Sequence, residues 1–82
     1  MTENTKKIIK YLQDNRDKKF TAADLESALG ISKKSIDGAF TMAIATKNLG
    51  YRMPLQIKGP NGDFINVKYL ILNDAGLALN VD

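Results

Sequence analysis

Up to Asn48 the apolar residues of this chain recur at every third or fourth position, and beyond it they alternate, so the pattern predicts helices followed by strands. A first helix is expected from about residue 2 to 16, with Ile8, Ile9, Tyr11 and Leu12 as its apolar stripe. "RDKK" breaks the pattern and reads as a loop. In "FTAADLESALG", Thr21 and Asp24 have capping-box spacing, Phe20 and Leu25 stand at staple positions, and Gly30 suits the left-handed residue that ends a helix. Its buried side is expected to be Leu25, Ala28 and Leu29, with Asp24 and Glu26 facing out. Only "GIS" separates this helix from the next, whose N-cap is Ser32, and so short a connection forces a steep crossing of the helix-turn-helix kind. On a wheel of ~100° per residue, Ile36, Ala39, Phe40, Ala43 and Ile44 share the inward side of the third helix, about residues 32 to 47. Lys34, Gly38, Thr41 and Ala45 share the opposite side, flanked by Asp37 and Met42.

"YRMPLQIK" places Tyr51, Met53, Leu55 and Ile57 on one face of a strand and Arg52, Gln56 and Lys58 on the other, while Pro54 marks an edge strand. "GPNGD" is a turn, with Asn61 and Gly62 as a hairpin signal, and "FINVKYLIL" is the returning strand. Asn73 then caps a last short helical turn. The chain is therefore expected to be one α+β domain over residues 1–82: a three-helix bundle followed by a β-hairpin.

Composition narrows the chemistry. The chain has 82 residues, 44% of them hydrophobic, enough for one core and too few for a core plus a deep substrate cavity. It has no histidine and no cysteine, which removes the usual general base, the thiolate nucleophile and nearly every transition-metal site. No enzyme, cofactor or metal is expected. "MTENTKKIIKYLQDNR" is too polar for a signal peptide or a membrane span, so a cytoplasmic protein is expected. Net charge is +3, but from Ser32 to Lys68 there are six bases (Lys33, Lys34, Lys47, Arg52, Lys58, Lys68) against two acids (Asp37, Asp63). That segment holds all the excess positive charge and points to a polyanion such as nucleic acid.

These features together resemble a winged helix-turn-helix domain. "FTAADLESALGISKKSIDGAFTMAIATKNLGYR" is similar to the pattern T-x-x-x-L-A-x-x-L-G-I-S followed by a recognition helix ending in K-x-G-L-hydrophobic-R. "YLILNDAGLAL" resembles the L-T-x-x-G-x-x-L that closes the wing in repressors of the multiple-antibiotic-resistance type. Asn48 stands where that family usually has a glycine, and Asn73 where it has a threonine. The long dimerisation helices of those repressors have no counterpart in this sequence, so dimerisation and a ligand pocket do not carry over.

The resemblance implies a prokaryotic or phage transcriptional regulator that binds double-stranded DNA, with the third helix in the major groove and the wing, about residues 51 to 72, on the backbone. Ser32, Lys33, Lys34 and Ser35 would then meet phosphates, and Gly38, Thr41 and Ala45 would face base edges, while Asp37 would be repelled by phosphates unless it accepts from a cytosine amino group. Lys58, Asn61, Gly62 and Lys68 would act from the wing and Arg52 from its root. Each has a plainer explanation: Ser32 is needed as a cap, Asn61 and Gly62 make a turn, and Lys33 and Lys34 solubilise a surface. The alternative is a protein-interaction module using Met42, Tyr51 and Met53, and the oligomeric state, monomer or homodimer, stays open.

Overall fold

Helices precede a two-stranded antiparallel hairpin in the computed structural model, which describes residues 1–81. Helix α1 (Glu3–Asp14) begins at Thr2, whose hydroxyl accepts from the Thr5 amide at 3.2 Å, and it buries Thr5, Ile8, Ile9 and Leu12. Thr5 is buried although polar because its hydroxyl pairs with that of Thr2 at 2.8 Å.

Helix α2 (Ala22–Leu29) carries both halves of the expected capping box. Thr21 Oγ1 accepts from the Asp24 amide at 3.2 Å, and Asp24 Oδ2 accepts from the Thr21 amide at 3.0 Å. Gly30 closes the helix at φ 69°. One expectation fails: Ala28 is exposed, and the buried residues are Ala22 and Leu25. Ala28 precedes half-buried Leu29 by one residue and so is rotated ~100° away from it, out of the core.

Helix α3 (Lys33–Ala39) starts at Ser32, as expected, but the third helix is not a uniform 3.6-residue spiral over residues 32 to 47. Phe40–Ala45 is π-helical. The Thr46 amide donates to the Thr41 carbonyl at 3.3 Å and the Leu49 amide to the Ile44 carbonyl at 2.8 Å, both across five residues. One extra residue per turn shifts the wheel by ~100° beyond Phe40. Ile36, Phe40 and Ile44 nevertheless all reach the core and are fully buried. Asn48 ends the segment at φ 57°, the left-handed geometry that asparagine tolerates better than other non-glycine residues.

Strands β1 (Gly50–Lys58) and β2 (Phe64–Leu72) pair from Gly50 opposite Leu72 to Lys58 opposite Phe64. Their connection is the five-residue loop 59–63, the "GPNGD" turn expected from the sequence. The Gly62 amide donates to the Gly59 carbonyl at 3.0 Å, with Pro60 second in the turn and Gly62 left-handed at φ 84°, while the Gly59 amide donates to the Asp63 carbonyl at 2.6 Å. Proline pre-sets the φ that this turn needs at its second position, which leaves Asn61 at negative φ.

The root of the hairpin is fastened to the helices. Leu70 and Leu72 enter the core, the Leu70 amide donates to the Phe20 carbonyl at 2.8 Å, and the Asn73 amide donates to the Leu49 carbonyl at 3.0 Å. Helix α4 (Asp74–Ala78) follows, capped by Asn73. Asn73 also donates from Nδ2 to the Asn48 carbonyl at 2.7 Å, a bond that a threonine in its place lacks the amide to make. Gln13 Nε2 ties α4 to α1 through the Gly76 and Leu79 carbonyls at 3.0 and 2.8 Å. No helix among the described residues is long and apolar enough to cross a membrane.

Two glycines respond oppositely to substitution. A Cβ on Gly38 meets nothing within 4 Å, whereas a Cβ on buried Gly76 would collide with the Leu49 carbonyl oxygen. Gly38→Ala is expected to stabilise by ~0.5–1 kcal/mol, and Gly76→Ala to destabilise by ~1–3 kcal/mol. Urea unfolding of both variants checks this; a neutral Gly76→Ala would mean that α4 does not sit against Leu49.

Candidate nucleic-acid interface

Directly opposed residues of an antiparallel pair share a face, so the register sorts the hairpin into two surfaces. One surface carries Arg52, Pro54, Gln56 and Lys58 from β1 and Phe64, Asn66, Lys68 and Leu70 from β2. At the root it is apolar, with Leu70 in the core; further out it becomes polar and basic. This half projects from a molecule measuring 42 × 25 × 21 Å.

Arg52 joins this surface to the third helix. Its Nη2 donates to Thr41 Oγ1 at 2.9 Å and to the Asp37 carbonyl at 3.2 Å, and lies 3.6 Å from Asp37 Oδ1. Its guanidinium carbon sits 5.0 Å from the centroid of the Phe40 ring, which is itself fully buried. The side chain is 28% exposed, so these are contacts made partly out of water. Arg52, Asp37 and Thr41 are thus a strut between the root of the hairpin and the third helix. Thr41 keeps its hydroxyl proton and its methyl group for other contacts.

Beside the strut, an open cleft of about 460 Å³ lies between the start of α2, α3 and the hairpin. Lys33, Arg52 and Lys68 line it with Thr21 and Asn66, and Asp37 is its single acid. Residues from three separate stretches of the chain therefore meet in one positively charged hollow. Lys58 lies further out, opposite Phe64, whose ring is 69% exposed. Phe64, Gln56 and Asn66 were not anticipated as site residues. The alternation of "FINVKYL" together with the register across the "GPNGD" loop places them on this surface.

The N-terminus of α3 is less open than its lysines suggest. Glu26 Oε2 accepts from the Lys33 amide at 2.7 Å, and Ser32 Oγ accepts from the Ser35 amide at 3.2 Å while donating to Ser35 Oγ at 2.9 Å. The acid that a helix start favours is present, supplied by the preceding helix. Glu26 was expected simply to face solvent. Ser32 and Ser35 both act in the cap of α3.

Gly38, Lys34 and Ala45 are exposed as expected, though Ala45 lies in the π-helical stretch and outside the contacts that gather the cleft. Asn61 and Gly62 sit in the hairpin loop, where the turn alone explains them. No protein-family model, curated protein or solved structure matches this chain, and the interface is argued from its geometry alone.

The strut makes a prediction that separates its parts. The loose 3.6 Å ion pair should matter less than the two hydrogen bonds and the ring contact. Asp37→Asn, which keeps the carbonyl acceptor, is expected to cost below ~0.5 kcal/mol, and Arg52→Ala ~1–2 kcal/mol. Equal losses in chemical denaturation would mean that the carboxylate carries the strut.

Proposed function

We propose that the protein is a winged helix-turn-helix DNA-binding protein, a transcriptional regulator of prokaryotic or phage type, with α3 in the major groove and the hairpin as the wing. The observation that carries this reading is the Arg52 strut. It fastens the basic hairpin surface to the third helix, and beside it Lys33 of the helix and Lys68 of the hairpin line one cleft.

The division of labour follows from the chemistry. Lysines at the cleft and along the hairpin neutralise phosphates and set position, without reading sequence. Gly38 lets the helix backbone come close to base edges, and Thr41 offers a methyl group to thymine and a hydroxyl proton to an acceptor. Phe64, beside Lys58 near the hairpin tip, supplies an apolar ring of the kind that minor-groove proteins press against base steps.

Titration of duplex DNA at several salt concentrations tests the proposal. Affinity is expected to fall steeply as salt rises, and Lys58→Ala and Lys68→Ala should each reduce the slope of log affinity against log salt by ~1 unit. Gly38→Gln should fold normally, keep the salt-sensitive general binding and lose most discrimination between specific and random duplex. Binding that is absent at low salt, or insensitive to salt, would refute the reading. A Gly38→Gln variant that discriminates as the parent does would move the recognition surface elsewhere.

A further inference from the structure

The second surface of the hairpin has no part in the proposed DNA contact. The cross-strand pairs Tyr51 with Ile71, Met53 with Tyr69, Leu55 with Val67, and Ile57 with Ile65 all lie on it. These eight positions hold no charged side chain. None of them belongs to the buried core, and Met53, Val67, Tyr69 and Ile71 are half-buried. Tyr51, Leu55, Ile57 and Ile65 are 50%, 41%, 39% and 44% exposed.

Strand propensity accounts for the β-branched and tyrosine members but not for Met53 and Leu55. Nor does the fold need this surface to be apolar, since the hairpin is already anchored through Leu70 and Leu72 on the opposite side. A contiguous uncharged strip of this kind marks an interaction site.

We propose that the strip packs against the same strip of a second copy, making the protein a homodimer. Size is compatible with it: the strip runs along the nine-residue pairing of both strands, and specific interfaces begin at about 1,000 Å² in all. Charge supports it as well, because the strip itself holds no ion to desolvate, and Arg52, Lys58 and Lys68 of both copies stay on the outer surfaces. A foreign partner would have to bring an uncharged strip of matching size, whereas a second copy has one by construction.

Shape gives the arrangement. Tyr51, Met53 and Tyr69 make the strip bulky near the root, and Ile57 and Ile65 make it narrower at the tip. A two-fold axis near Leu55 and Val67 lays the root of one copy over the tip of the other and closes the assembly at two.

Pairing through strand edges is the competing route, and the chain opposes it. The Leu70 amide points away from β1, to Phe20, so Arg52 and Leu70 form a pair without mutual hydrogen bonds. Two positions on, Pro54 and Lys68 form another such pair. Pro54 therefore sits where an outward amide would otherwise face the open edge of β1, in mid-strand.

This proposal does not rest on DNA binding, and its test uses the protein alone. Sedimentation equilibrium from low micromolar concentration upward should give a dimer. Leu55→Lys should raise the dissociation constant by about 30-fold or more while circular dichroism stays unchanged. The chain has no cysteine, so single substitutions report proximity cleanly. Leu55→Cys should oxidise to a covalent dimer, and Gln56→Cys, on the opposite surface, should not. A monomer at all concentrations, or equal cross-linking of the two cysteine variants, would overturn the proposal, and a monomer that instead floats with neutral lipid vesicles would give the strip to a membrane surface.

Discussion

An isolated two-stranded hairpin is marginal in water, so the direction in which residues 50–72 project depends on what grips their root. Leu70 and Leu72 supply the apolar part of that grip and Arg52 the directional part. Arg52 lies against Phe40, the largest fully buried side chain, and holds the two turns of the third helix that Asp37 and Thr41 occupy. Arginine suits the place because a planar cation can lie on a ring and donate sideways at once; lysine, a point charge, lacks that geometry. The relation between helix surface and hairpin surface follows from this contact, and with it the cleft.

Much of this architecture was legible along the chain because local chemistry decides it. The Thr21 and Asp24 box, left-handed Gly30 and Asn48, the Ser32 and Asn73 caps and the change of period after Asn48 are all read within a few residues of where they act. What was not legible depends on partners distant in sequence or on small geometric differences. Glu26 reaches the start of α3 across seven residues and accepts from the Lys33 amide. The π-helical stretch has no local signature in "FTMAIA", and it displaces Ala45 from the helical wheel. The bonds inside the hairpin loop, from the Gly62 amide to the Gly59 carbonyl and from the Gly59 amide to the Asp63 carbonyl, were likewise not specified by the turn signal alone.

The same contrast runs through the candidate site. Lys33, Asp37, Thr41, Arg52 and Lys68 were all singled out by type and position, and the fold gathers them. Three of them, Asp37, Thr41 and Arg52, are also joined in the strut. The hairpin is the most unequal element: one surface turns basic as it leaves the core, while the other is apolar along its whole length. A strand pair needs only one anchored face for its own stability, so the second apolar face is a property that folding does not demand.

The central claim is that duplex DNA meets the third helix and the basic hairpin surface together. Backbone amide NMR during titration with duplex tests it most directly. The account predicts shifts concentrated at residues 33–41 and at Lys58, Phe64, Asn66 and Lys68, with α1 and α4 quiet. Shifts confined to α1 and α4, or none at low salt, would contradict it.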